Sequence, residues 1–199
     1  MSEKKVTLVI GKRGSGKSYL VKKLIGGETP KERLLVYDPQ SEYSEGVCFD
    51  RDSYGQLLEF WWRVRQTGFR IVYRPIDPAG EIDDIAKLVF ALGNMTFVVE
   101  EVEAYCNTFN INQNFAAILQ RGRHRNIELI GVTQRPFGIH RLLTSQAKEV
   151  YVFNTNEPRD RQYLRDLLGF EVGAKLDILK QFEYVKWEDG SDKLEIGKA

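Results

Sequence analysis

An α/β domain built on a mainly parallel central sheet, finished by a C-terminal β-hairpin, is the fold class this sequence predicts. Three observations predict it. Short β-branched or aromatic runs alternate with longer segments of helical period, the pattern of successive βαβ units. Several of the short runs are apolar at adjacent positions, as strands covered by helices on both faces must be. Residues 182–196 alternate apolar and polar side chains on either side of Asp189-Gly190, a hairpin signal. With 199 residues, 42% of them hydrophobic, the chain can bury one sizeable core and is short for two. A single domain over 1–199 is expected, with its core at about 5–170 and the hairpin extension at about 180–197.

In chain order, the run Val6-Thr7-Leu8-Val9-Ile10 places a strand at 5–10, and the glycine-broken loop after it leads into a helix at 15–25. Leu34-Leu35-Val36-Tyr37 is the second strand, and a helical pattern follows at 53–66. A strand at 69–73, a helix at 81–92 and a strand at 96–99 continue the alternation. A helix at 112–121 leads to strands at 127–133 and 149–154. The last expected helix, 158–168, has cap-like Asn156-Glu157 before Pro158 and stops at Gly169.

Twenty-nine Lys and Arg against 28 Asp and Glu give a net charge of +1, which excludes a histone-like polycation but leaves room for local basic surfaces. The longest mostly apolar stretch, 88–99, is interrupted by Gly93, Asn94 and Thr96, so no membrane span is expected. The opening residues lack the apolar region of a secretion signal, which points to the cytoplasm. Cys48 and Cys106 have no CxxC spacing and read as reduced thiols.

The chemistry concentrates in three places. The first strand runs directly into Gly11-Lys12-Arg13-Gly14-Ser15-Gly16-Lys17-Ser18, which matches GxxxxGK[ST] in its required strand, loop and helix setting. Glycines let the backbone curl so that successive N–H groups face phosphate oxygens, and the helix start favours an anion. Gly11 to Tyr19 are therefore the candidate ATP-binding residues, with Lys17 reaching the β- and γ-phosphates and Ser18 ligating Mg²⁺. Thr96-Phe97-Val98-Val99 ends in Glu100-Glu101; Glu100 is assigned to the Mg²⁺ side and Glu101 to polarising the attacking water.

The third place is the strand at 127–133. Gln134 follows its carboxyl end, where ligands of a parallel sheet collect, and is expected to sense phosphate. Arg121, Arg123 and Arg125 precede the strand. They lie at the wrong end for their own chain's nucleotide, yet are placed to reach a neighbour's in a ring, as an arginine finger supplied in trans does.

Together, Gly11 to Ser18, Thr96 to Glu101, Gly122-Arg123 before the strand, and Gln134-Arg135-Pro136 after it resemble the HerA/FtsK superfamily of DNA-translocating ATPases. Asp38-Pro39-Gln40-Ser41-Glu42-Tyr43 is similar to that superfamily's Asp-Pro-x-x-Glu-Tyr turn. The resemblance implies a three-layer, RecA/ASCE-like P-loop NTPase fold, carries the trans finger to Arg123, and implies a homo-oligomeric ring, a hexamer by resemblance, acting on double-stranded DNA. The chain has no room for the membrane, winged-helix or barrel parts of larger members. It therefore resembles the minimal genome-packaging ATPases of tailless internal-membrane viruses, with a capsid vertex or portal protein as docking partner and a virion-associated location.

Two arginine-rich stretches, 63–74 and 121–141, are each expected to be able to track a DNA backbone without reading bases. Phe60, Trp61 and Trp62 read as core or subunit-contact residues rather than base-stacking ones. Two other functions fit a P-loop: a small-molecule kinase, which would need a lid in cis and no Glu101, and a nucleotide-binding subunit of an export complex.

Overall fold

Along the first strand, Leu8 and Ile10 turn to one side and Val9 to the other, and all three are fully buried. That alternation, repeated strand after strand, requires a helical layer on each face. The computed structural model describes residues 5–191 and 193–199. In chain order the elements are β1 (Val6–Ile10), α1 (Lys17–Gly26), β2 (Arg33–Tyr37), β3 (Val47–Asp50), α2 (Tyr54–Val64), β4 (Phe69–Arg74) and α3 (Pro78–Leu92). There follow β5 (Met95–Val99), β6 (Cys106–Asn107), β7 (Asn110–Ile111), α4 (Gln113–Arg121), β8 (Ile127–Thr133) and α5 (Arg141–Gln146). The chain ends with β9 (Ala147–Phe153), α6 (Pro158–Leu168), α7 (Glu171–Ile178), β10 (Glu183–Glu188) and β11 (Glu195–Lys198).

Among the described residues one nine-stranded sheet has the order β11-β10-β9-β1-β8-β5-β2-β4-β3. From β9 to β3 every pairing is parallel, and the hairpin β10-β11 adds on antiparallel to β9. On one face, Leu8, Ile10, Leu35, Phe97 and Leu129 pack against Leu57 and Trp61 of α2, Ile85 and Val89 of α3, Phe115 of α4, Leu143 of α5, Leu164 of α6 and Leu176 of α7. On the other, Val9, Val36, Val98, Ile130 and Val132 meet Leu20, Val21 and Ile25 of α1. Each such side chain contributes about 1.5–3 kcal/mol through its removal from water. The result is the expected three-layer α/β architecture.

Several elements differ from expectation. Strand β3, the helices α5 and α7 and the small hairpin β6-β7 carry no clear period. Helix α1 begins at Lys17 rather than Ser15, because Gly14 and Gly16 adopt left-handed φ of 72° and 109°. Helix α3 begins earlier, at Pro78, where the Asp77 carboxylate accepts the Gly80 N–H at 3.2 Å. Before α6 it is Glu157 that occupies the cap position, without a side-chain cap bond, so the cap-like reading of Asn156-Glu157 does not hold. Trp61 is buried and Phe60 packs against the core, whereas Trp62 is 68% exposed with the Arg65 guanidinium stacked 3.7 Å from its ring centroid. Cys48 and Cys106 are both unpaired. Among the described residues no helix is long and apolar enough to cross a membrane.

Candidate functional site

The chain leaves β1 at Ile10 and must turn at once into α1. Gly11 makes the turn sterically possible, since a Cβ there would lie 2.6 Å from Phe153 Cβ and 2.7 Å from Ser15 Oγ. The first amides of α1 have no side-chain cap, so N–H donors and the positive end of the helix dipole face outward together. Strand β1 neighbours β8, and β8 neighbours β5, so the carboxyl ends of all three converge beside this loop.

The convergence encloses a cavity of about 430 Å³, lined by Gly14, Gly16, Lys17 and Ser18 from the loop, Glu100 and Glu101 after β5, and Thr133 and Gln134 at the end of β8. Arg13 and Tyr19 stand on its rim, with Tyr19 66% exposed. Lys12 and Ser15 instead line a second hollow of about 260 Å³, with Asn154 and Lys180, on the hairpin side of the loop. Gly11 lines neither cavity, and its place in the loop is steric.

Lys17 is buried, and its ammonium donates to the Lys12 carbonyl at 3.2 Å. Burial lowers its pKa, against the opposing pull of Glu100, Glu103, Glu42 and Glu101. Glu100 is 5% exposed, and the Tyr43 hydroxyl donates to its Oε1 at 2.5 Å. Burial pushes the Glu100 carboxyl up to about 7; Glu42 and Asp38 add repulsion, while the Tyr43 hydrogen bond and Lys17 oppose the rise. Glu101 has a left-handed φ of 49°, a costly conformation for a residue with a side chain. Its Oε1 accepts Gln134 Nε2 at 3.3 Å and its Oε2 accepts Gln40 Nε2 at 2.9 Å.

Four contributors were not singled out as site residues from sequence. Gln40, Glu42 and Tyr43 belong to the turn after β2, where the fully buried Asp38 carboxylate accepts the N–H groups of Glu42 at 3.0 Å and Tyr43 at 2.9 Å. The Ser18 hydroxyl donates to the Glu42 carboxylate. Glu103, which reads as part of a solvated acidic turn, accepts the Gln134 N–H at 2.9 Å and so fixes the start of that segment. The Asp-Pro-x-x-Glu-Tyr turn was the available signal for the first three.

Arg123 lies apart from this cavity, before the opposite end of β8. It is exposed; its carbonyl accepts the Asn126 N–H at 3.0 Å, while its guanidinium makes no hydrogen bond or ion pair among the described residues. Its neighbours are committed elsewhere. Arg125 donates to the last carbonyls of α3, Phe90 O at 3.2 Å and Ala91 O at 2.6 Å, and Arg121 stacks over the Phe90 ring. Arg135 pairs with buried Asp160 at 3.1 Å. The stretch 63–74 does not form one basic face: Arg74 donates to Tyr43 O at 3.0 Å, and Arg70 reaches Ile25 O and Lys31 O. Carbonyls of α1 and of the loops around β2 hold these two arginines within the fold.

No protein-family model matches the chain. A curated relative, the DNA packaging ATPase P9 of Enterobacteria phage PRD1, is 23% identical over 199 residues, covering 95% of this chain and 84% of that protein. Among solved structures, the genome packaging NTPase B204 of Sulfolobus turreted icosahedral virus 2 in complex with AMPPCP superposes with a TM-score of 0.76 at 22% identity, covering 100% of this chain and 99% of that one. The N-terminal domain of the zonular occludens toxin of Neisseria meningitidis superposes with a TM-score of 0.58 at 13% identity, covering 100% and 94%. The chain thus has the three-layer α/β fold of the genome packaging NTPase B204, with a mostly parallel central sheet.

Proposed function

We propose that this protein is an ATPase that moves double-stranded DNA, working as a homo-oligomeric ring that packages a viral genome. The observation that carries the reading is the meeting, in one cavity, of Lys17 and Ser18 with a Glu101 carboxylate held on both oxygens by Gln134 and Gln40. A carboxylate so held beside the phosphate loop suits a hydrolase, which must orient water. The roles of P9 and B204, packaging DNA and packaging a genome, support the same reading.

The donor set fits Mg²⁺ shared with a nucleotide. Among the described residues no three His, Cys, Asp or Glu side chains come close enough to hold a metal by themselves. Ser18 and Glu100 are hard oxygen donors facing one cavity, the kind of partial shell that Mg²⁺ completes with phosphate oxygens and water. When bound, Mg²⁺ neutralises charge building on the phosphates. The chain's own groups do the rest. The loop amides and Lys17 hold the phosphates, Glu101 takes hydrogen-bonding hold of the attacking water, and Gln134 links that carboxylate to the γ-phosphate position. Arg123, free and facing outward at the far end of β8, completes the site of a neighbouring subunit.

The deciding experiment is ATPase activity with and without duplex DNA across a salt series, read beside the oligomer mass. Stimulation that fades with salt, in a ring-sized particle, is expected. No stimulation by any duplex at low salt would remove the translocase reading.

A further inference from the structure

The Ser18 hydroxyl is the group through which a phosphate loop of this kind lends an oxygen lone pair to a metal ion. A hydroxyl that donates its lone pair this way becomes a stronger acid and still carries a proton, which needs an acceptor. The adjacent Glu100 is the residue the sequence suggests. It is otherwise engaged: Tyr43 donates to its Oε1 at 2.5 Å, and the hydroxyl of buried Tyr105 donates to its backbone carbonyl. The acceptor actually in contact with Ser18 is Glu42, from a different strand end.

Glu42 is not a loose surface carboxylate. Its N–H is bound by Asp38 Oδ1 at 3.0 Å, and its carbonyl accepts Lys22 Nζ at 2.8 Å. The next residue is fastened as firmly, by Asp38 Oδ2 on Tyr43 N–H, Arg74 on Tyr43 O, and Lys22 over the Tyr43 ring at 5.3 Å. The backbone on both sides is thus fixed by a fully buried carboxylate and two cations, which aims the Glu42 side chain at the start of α1. Such outer partners orient the groups that touch a metal, and their loss typically weakens metal binding about 10–100-fold.

Resting on the nucleotide-binding reading above, we propose that Glu42 is the positioning residue for the metal at this site: it accepts the Ser18 hydroxyl hydrogen bond and so turns the Ser18 lone pair toward the divalent cation, while Tyr43 holds Glu100 Oε1. Glu42 acts through Ser18 and from a turn that also carries Gln40, the partner of Glu101, so the metal side and the water side of the cavity are set by one six-residue segment, 38–43.

The test uses Mn²⁺ as a spectroscopic substitute, titrated by electron paramagnetic resonance into the full-length protein loaded with ATPγS. Nucleotide affinity in EDTA is measured in parallel. Glu42→Ala is expected to weaken Mn²⁺ about 10–100-fold with nucleotide affinity in EDTA unchanged, and Glu42→Gln, which retains an acceptor oxygen, to lose less. In a Ser18→Ala background Glu42→Ala is expected to add little, because the two act through one contact. The proposal is overturned if Glu42→Ala keeps wild-type Mn²⁺ affinity, or if the losses from Ser18→Ala and Glu42→Ala add in full. Failure of the wild-type protein to bind ATPγS at all would instead overturn the nucleotide-binding reading, and this inference with it.

Discussion

Gln134 donates its side-chain amide to Glu101 Oε1 at 3.3 Å, so the residue just past β8 touches the second residue past β5. With Gln40 on the other oxygen, Glu101 is oriented from two strand ends. Glu101→Gln is expected to leave nucleotide binding within about twofold and to lower kcat about 10²–10⁴-fold, the usual worth of a positioned base. Equilibrium binding of a fluorescent ATP analogue beside steady-state turnover checks this, and retained turnover would take Glu101 out of the mechanism.

Replacing Gln134 by Ala removes one of the two amides, whereas replacing it by Glu sets a like charge against Glu101. Turnover is expected to fall in both and further in Gln134→Glu. Equal losses in the two variants, measured at saturating ATP, would show that the amide contact does not orient the carboxylate.

Glu100 makes stability depend on pH in an unusual direction for a carboxylate. Its folded pKa of about 7 lies above the ordinary 4.5, so its ionised form is disfavoured by folding. That destabilisation is fully present above about pH 7 and is relieved as pH falls toward 4.5. Glu100→Gln, which keeps an acceptor for Tyr43, is expected to stabilise the nucleotide-free protein by on the order of 2 kcal/mol at pH 8, with the gain fading to nothing near pH 4.5. Urea denaturation at a series of pH values measures it, and a gain that is independent of pH would mean that ionisation is not its source.

Arg123 and Arg125 separate two roles within one short basic segment. Arg125→Ala is expected to cost about 1–3 kcal/mol, because it strips the α3 carboxyl end of charged donors, and Arg123→Ala less than about 0.5 kcal/mol. In mixed rings, Arg123→Ala subunits combined with Lys17→Ala subunits are expected to recover ATPase activity that neither has alone. Absence of recovery in rings proven to be mixed would retire the trans assignment.

Much of this was legible in the residues because the phosphate loop and the parallel strands are specified locally. Glycines at special φ, β-branched runs and a strand that stops at two acids each carry their own signal. The edge strand β3 is exposed at all positions but Phe49, so it has no buried face to imprint a period. Helix α5 has only six residues, too few to show one. Glu42 and Glu103 were harder for another reason: their meaning comes from partners 24 and 31 positions away, Ser18 and the Gln134 N–H. The same holds for the arginines, since sequence shows a cluster of charge but not which members the fold has already bound. Arg70, Arg74, Arg125 and Arg135 are spoken for, whereas the guanidinium groups of Arg63, Arg123 and Arg141 have no hydrogen-bond or ion-pair partner among the described residues.

On the proposed ring reading, strand β8 would bear on timing. Its seven residues, fully buried and paired on both sides, span about 20 Å as a stiff element between Gln134 at one end and the turn carrying Arg123 at the other. In a ring, a strain registered at one subunit's phosphate would be passed along that rod to the next subunit's site. Firing order would then be wired into the sheet itself, with each subunit acting as the relay between its two neighbours, and a lengthened or softened β8 would leave every site intact while scrambling their sequence.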